Sequence, residues 1–425
     1  MEVREPSAKY LVKPAYKQTE AGVIPDDWEV STVGREFSVQ LGKMLDAEKN
    51  VGVSKPYLGN RSVQWDRIDI DDLPTVPMSR SDLDKFRLQK GDLLVCEGGE
   101  VGRAAIWDAP IEECYYQKAL HRLRPLREFD PRFMAAILRQ WSERGLLANY
   151  VTQTSIAHLP RDKFMEVPIP RPSPKEQRAI ASALSDVDAL LAGLERLIAK
   201  KRDLKQAAMQ QLLTAQTRLP GFSGEWEVKR LGDLGTTYGG LTGKTKADFG
   251  AGTAQYITFM NVMTNVVIDC EIFERVNVSP IETQNRAKKG DLFFNGSSET
   301  PEEVAMCAVL LEEVQDVYLN SFCFGFRFRD GEEADGVFFS YYLRGREGRE
   351  LMKSLAQGST RYNLSKAALL NSSLRLPPLL EQTAIAAVLA DMDAELSALV
   401  ARRDKTRDLK QAMMQELLTG RTRLV

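Results

Sequence analysis

One segment of this chain occurs twice. Residues 176–219 return as residues 381–424 without a gap, offset by 205, and 26 of the 44 aligned positions are identical. In the first copy apolar residues fall at Ile180, Leu184, Val187, Leu191, Leu194 and Ile198. That alternation of four and three is the seam of a coiled-coil helix. The second copy keeps the rhythm at Ile385, Leu389, Met392, Leu396 and Leu399. Charged runs at Lys200–Asp203 and Arg402–Lys405 interrupt both seams, which resume at Leu204, Ala208 and Leu212 and at Leu409, Met413 and Leu417. A helix of this length measures about 60 Å at 1.5 Å per residue. Neither helix can bury its seam alone, and the other copy is the nearest partner. Ser173-Pro174-Lys175-Glu176 opens the first helix as a capping box, with serine accepting from the Glu176 amide and the glutamate reaching back. Pro220-Gly221 closes it. The stretch Thr214–Thr217 lies beyond most of the seam, so four residues inserted after Ala215 are expected to lengthen the helix without disturbing its packing.

With 425 residues, the chain has room for two or three cores. Its net charge of -2 neither marks nor excludes a nucleic-acid binder, because only a local patch must be basic. The five cysteines form no CxxC pair, which argues against a disulfide framework or zinc site and for buried, reduced thiols in a cytoplasmic protein. No apolar run approaches the roughly 18 residues of a membrane span, and the N-terminus lacks a signal-peptide core.

The stretches before the two helices echo each other only in places. Asp27-Trp28-Glu29-Val30 matches Glu225-Trp226-Glu227-Val228, and Lys90-Gly91-Asp92-Leu93 matches Lys289-Gly290-Asp291-Leu292. Strand-like runs follow Gly91 and Gly290, and Phe322–Phe328 alternates as a half-buried strand. Residues 133–147 and 337–351 read as amphipathic helices. The expected class is α+β: two mixed α/β domains (1–172 and 220–377) alternating with two long helices (173–219 and 378–425) that form an antiparallel coiled coil, a pseudo-twofold internal repeat.

No catalytic constellation emerges. Gly239–Thr245 resembles a phosphate loop but has Tyr238 where the first glycine belongs, and reads instead as a glycine-rich loop with an exposed lysine. Gly98–Gly102 misses the dinucleotide spacing. Only His121 and His158 occur, too few for a histidine-based metal site; both read as packed or surface residues. Asp186 and Asp188, repeated as Asp391 and Asp393, point to different helix faces and suit solvated charges or partner contacts. An Asn/Asp-Pro-Pro-aromatic methyltransferase motif is missing, since Leu376-Pro377-Pro378-Leu379 lacks the amide, carboxylate and ring. Pro25-Asp26 and Glu227-Val228-Lys229 stand in different domains and make no nuclease site.

What remains is a set of basic, amide, hydroxyl and aromatic loop residues. In the first domain these are Lys43, Arg61, Gln64, Trp65, Arg67, Arg103, Lys118 and Arg122; in the second, Lys244, Lys246, Asn261, Asn295, Ser297, Ser298, Arg361 and Asn363. Such side chains read base edges and clamp phosphates. Singly, each suits a solvated surface; as a duplicated set they suit DNA.

These features together resemble the specificity subunit of type I restriction–modification systems over nearly the whole chain. The resemblance rests on Arg-Asp-Leu-Lys-Gln-Ala at 202–207 and 407–412, Gln-x-Leu-Leu-Thr at 210–214 and 415–419, the openings Ile24–Trp28 and Pro220–Trp226, the two Lys-Gly-Asp-Leu runs and Gln117–Leu123. It implies that each domain reads half of a split, asymmetric double-stranded DNA target. The paired helices then act as a spacer and recruit two methyltransferase subunits, giving a DNA adenine methyltransferase. Added restriction subunits would make an ATP-dependent endonuclease. It implies no catalysis and no cofactor in this chain, with S-adenosylmethionine, ATP and Mg held by partners, and no metal site. The competing expectation is a coiled-coil scaffold displaying two protein-binding domains, separable by a salt-dependent, sequence-specific DNA shift.

Overall fold

The computed structural model describes residues 16–46, 48–153 and 157–425. Contacts group the chain into two compact units that cut across the linear order. The first is residues 1–194 with 402–425; the second is residues 195–401. Each long helix is therefore continuous through a boundary, and each unit holds one half of both.

The first unit is built on a four-stranded antiparallel sheet of β1 (Phe37–Leu41), β2 (Leu93–Cys96), β3 (Ala104–Ile106) and β4 (Leu120–Pro125), in the order β3-β2-β4-β1. A second sheet has Val53–Leu58 at its centre, Tyr115–Tyr116 parallel on one side and Thr75–Met78 antiparallel on the other. Helix α1 (Pro131–Glu143) carries Phe133, Met134, Ile137 and Leu138 into the core, and α2 (Pro174–Leu212) adds Ile180 and Leu184 from its first half.

The second unit repeats this plan strand for strand. Its sheet of β5 (Gly235–Gly239), β6 (Leu292–Asn295), β7 (Cys307–Val309) and β8 (Cys323–Phe328) runs β7-β6-β8-β5. Phe249–Ile257 takes the central place of the smaller sheet, with Val317–Leu319 parallel and Glu274–Val276 antiparallel. Helix α3 (Gly336–Arg344) matches α1, and α4 (Leu379–Leu417) contributes Ile385 and Leu389 to the core. A two-stranded ladder closes each domain beside its helix: Pro168–Arg171 on Glu29–Thr32, and Ser373–Leu376 on Glu227–Arg230.

The Lys-Gly-Asp-Leu echo has a structural cause. Gly91 and Gly290 sit at φ +90° and +87°, where a Cβ is unfavourable, and turn the chain into β2 and β6. The buried aspartates that follow grip arginines on the neighbouring strand by two bonds each: Asp92 with Arg124 at 2.7 and 2.8 Å, Asp291 with Arg327 at 2.7 and 2.6 Å.

The helix halves pair antiparallel within each unit. In the second, Lys201 meets Glu395 at 2.7 Å and Lys205 meets Asp393; residue numbers climb along one helix as they fall along the other. In the first, Lys410 meets Asp188 at 2.5 Å. Lys205 and Lys410 are equivalent in the repeat, as are Asp188 and Asp393, so one bond is made twice. Asp186 and Asp391 stay exposed. The seam is graded. Ile180, Leu184, Leu194, Ile198, Ile385 and Leu389 are buried, while Val187, Leu191, Met392, Leu396 and Leu399 are half-buried. Leu204 and Leu409, where the sequence suggests the stripe resumes, are 47% and 55% exposed, so burial resumes only at the helix ends.

Two expectations about the helix ends are corrected. The Glu176 amide does donate to Ser173 Oγ, at 3.2 Å, but its carboxylate does not reach back. It accepts from Trp28 Nε1 at 3.1 Å and from Arg423, which lies 5.7 Å over the same indole. The second unit repeats the clasp with Glu381, Arg218 and Trp226. Also, α2 ends at Leu212, and Ala215 stands beyond it at φ +58°, so an insertion after Ala215 extends a loop and not the helix.

Candidate nucleic-acid interface

Many of the polar residues expected to face DNA turn out to hold loops together. In the first unit, Lys43 is paired with Asp82 at 2.8 Å. Arg103 donates to the Asn60 carbonyl at 2.8 Å, and Arg122 is buried against Gln40 Oε1 and the Lys85 carbonyl. The Gln64 amide closes its own hairpin on the Arg61 carbonyl at 2.7 Å. Trp65 donates its indole N–H to Glu100 and carries the Arg139 guanidinium 5.9 Å above its ring. Arg61, Arg67 and Lys118 are exposed, with no side-chain hydrogen bond or ion pair among the described residues.

The second unit sorts the same way. Asn261 and Asn295 are fully buried with both faces of their amides used. Asn261 Nδ2 donates to the Asp269 carbonyl at 2.8 Å while Oδ1 accepts from the Asp269 amide at 3.1 Å. Asn295 does the same with Glu303 at 2.9 Å and Met306 at 2.6 Å. Both brace loops and present nothing to a duplex, a correction to the expectation. Lys244 is not the exposed lysine expected either: its side chain is 5% exposed and donates to the Asn277 carbonyl and to Glu282, each at 2.6 Å. That bond holds the Glu282 carboxyl down at about 2. Lys246 is exposed, without such a partner among the described residues.

One constellation does face outward. Ser297–Ser298 pairs with Tyr362–Asn363, placing exposed Asn363 against Ser297. Arg361 Nε donates to Ser297 Oγ at 3.3 Å, and its guanidinium lies 5.8 Å over the ring of Phe322, which is 58% exposed. Ser297 and Ser298 are themselves largely covered, Ser298 donating to Glu303 at 3.0 Å. A guanidinium, an exposed aromatic ring and an exposed amide, whose Nδ2 donates to the Arg361 carbonyl at 3.1 Å, together offer phosphate, stacking and base-edge contacts.

In the first unit the corresponding bridge joins Gly98 to His158, and the ring of His158 is exposed. His158 thus stands where Asn363 stands in the second unit. A lone histidine carries no pattern in the sequence, and Phe322 lies in a run that alternates like a strand; the offset of 205 between 158 and 363 is the signal that marks the histidine. The other histidine, His121, is wholly buried, as is the thiol of Cys96; burial pushes Cys114, Cys307 and Cys323 up to about 12, which leaves no reactive thiolate there. No group of metal-ligating side chains occurs among the described residues.

Two like domains, each on the same strand order and clasped by the same helix bonds, make the chain an internal duplication. The chain belongs to the family of the type I restriction modification DNA specificity domain, whose model matches it twice, over residues 25–201 and 223–405. It is 22% identical to the type I restriction enzyme MjaVIII specificity subunit of Methanocaldococcus jannaschii, with 96% of each chain covered. Its fold is that of the type I restriction–modification S subunit from M. genitalium, with a TM-score of 0.57, 18% identity, and 92% of this chain and 96% of that one covered. It is also that of a chain solved in work on complex assembly and conformational transition of the type I R-M system, with a TM-score of 0.57, 18% identity, and coverage of 93% and 99%. No helix among the described residues is long and apolar enough to cross a membrane.

Proposed function

We propose that this specificity subunit reads a bipartite, asymmetric DNA target, one half with each domain, and works in the cytoplasm as the non-catalytic member of a DNA adenine methyltransferase. The observation that carries this is the contrast between the copies. Strand order and helix clasps repeat, while the outward clusters differ: Gly98 beside His158 in one, Ser297 with Arg361, Phe322 and Asn363 in the other. Unlike readers on one repeated frame suit unlike half-sites, as two subunits of a symmetric dimer suit like ones. Arg61, Arg67, Lys118 and Lys246 supply unpaired positive charge for phosphates.

The paired helices would set the gap between half-sites and seat two methyltransferase subunits, with restriction subunits added for ATP-dependent cleavage. S-adenosylmethionine, ATP and Mg would then belong to those partners. Co-expression with a neighbouring methyltransferase gene, followed by genome-wide mapping of methyladenine, tests the proposal. The expected result is a split motif with two unlike specified halves around an unspecified gap. A continuous motif or a perfect palindrome would overturn it.

A further inference from the structure

The repeat allows one unit to be used as a template for the other. Asp130 and Asp335 cap α1 and α3, and the backbone N–H of each donates to a helix glutamine, Gln177 at 2.9 Å and Gln382 at 3.0 Å. At the same offset, Phe133 matches Phe338, Leu138 matches Leu343, and Ala136 matches Tyr341. Tyr341 is 2% exposed. Its hydroxyl donates to Asp393 Oδ2 at 2.6 Å, and the Lys205 ammonium, paired to the same carboxylate, lies 5.5 Å from its ring centroid. A phenol therefore completes the second unit's lysine–aspartate pair.

The first unit has the same pair, Lys410 and Asp188 at 2.5 Å, but Ala136 in place of the tyrosine. Where the phenol would be there is a cavity of about 410 Å³, lined by Ala136, Leu184 and Met414 on its apolar side and by Asp188, Lys410 and Arg139 among its polar groups. The cavity has one apolar side and one charged side, which Asp66, Asp108, Asp130 and Arg132 also line, and its volume is in the usual range of a small-ligand site. The Lys410 side chain is 9% exposed and its charge is matched by Asp188, with Asp66 at 3.6 Å. Asp188 still has an acceptor oxygen to offer, since Lys410 is its one hydrogen-bond or ion-pair partner among the described residues.

We propose that this cavity binds a phenolic group, its ring against Ala136, Leu184 and Met414 and its hydroxyl donating to Asp188 beside the Lys410 ammonium. The group takes the position that Tyr341 fills from within the other unit. Its source is either a free phenolic molecule or a tyrosine side chain of a partner subunit. The proposal stands on the cavity and the repeat, and does not depend on the DNA target.

The test is a titration of the full-length protein, labelled at methionine methyl carbons, with p-cresol. A saturable shift of the Met414 signal is expected. Toluene, which has the ring without the hydroxyl, should bind at least tenfold more weakly. Ala136→Tyr should fold, because the second unit accommodates that residue, and should abolish the response by filling the site. No saturable shift in the wild type, toluene binding as tightly as p-cresol, or an Ala136→Tyr protein that still binds would each overturn the assignment. Capture of the methyltransferase partner by Ala136→Tyr then identifies the source. Weakened capture supports an inserted partner tyrosine, and unchanged capture supports a free molecule.

Discussion

Glu176 and Glu381 are 1% and 0% exposed carboxylates, and an arginine from the tail just beyond the other helix reaches each of them. The two clasps are not equal. Trp28 gives Glu176 a second donor, whereas Trp226 Nε1 has no hydrogen-bond partner among the described residues and Glu381 leans on Arg218 for its charge. Removing one member of a buried pair strands the other and costs about 3 kcal/mol or more. Arg218→Ala and Arg423→Ala should each lower the thermal midpoint, Arg423→Ala also losing two bonds to Asp27; Trp28→Phe, which removes the indole donor to Glu176, should lower it more than Trp226→Phe, and equal shifts would show that the tryptophan bond adds nothing. His121 makes a second residue-level prediction. Its Nε2 donates to the Leu159 carbonyl at 2.9 Å, its Nδ1 has no partner among the described residues, and burial lowers its pKa to about 4. The unfolded chain, with the ordinary value near 6.5, takes up a proton first as pH falls. The stability held by the neutral ring is complete above about pH 6.5 and drains away toward about pH 4, by about 2 kcal/mol at pH 5. Urea unfolding at pH 7 and pH 5 should show that loss in the wild type and a smaller one in His121→Gln.

Among the elements, the long helices were the most legible from sequence, because the seam period is local and strong. The strand order was not. The strands of the two four-stranded sheets, three to six residues each and separated by loops, carry little periodicity, and only scattered signals such as the Lys-Gly-Asp-Leu turn survive in both copies. The recognition residues were legible by type and not by role. Asn261, Asn295 and Lys244 have the chemistry of base and phosphate readers, but loops need the same amides and ammonium groups to satisfy their own backbone. Burial also ranks the seam. Leu184→Asp or Leu389→Asp places a charge at 4% or 0% exposure and should cost about 3 kcal/mol or more, with soluble yield falling; the half-buried Leu191→Asp should cost less. If Leu191→Asp proves as damaging, the grading is wrong. The helices also permit a spacing experiment at better positions than Ala215. Seven residues added after Leu194 and seven after Ala401 preserve the heptad and lengthen both helices where the two units divide. That adds about 10 Å, or roughly three base pairs at 3.4 Å each. Methyladenine mapping should return a gap longer by that amount, and an active variant with the original gap would assign spacing elsewhere.

At the scale of the molecule, two of the bonds that tie one helix arm to the other are duplicated with their members exchanged, while Lys201–Glu395 is made once. Glu176 meets Arg423 where Glu381 meets Arg218, and Asp188 meets Lys410 where Asp393 meets Lys205. The first helix with its short tail thus contains both members of each kind of bond: Glu176, Asp188, Lys205 and Arg218. Residues 1–219 alone are one bonding set, and two such fragments can clasp each other as the two copies clasp within the chain. That fragment should sediment as a homodimer and, with methyltransferase, mark a palindrome built from the first half-site, whereas a monomeric fragment would mean the clasps need the covalent join. Seen so, the peptide link between the copies has no part in holding the helices together. Its consequence is inheritance: one gene carries two readers that are free to mutate apart, and a self-complementary dimer becomes a protein able to tell one direction along a duplex from the other.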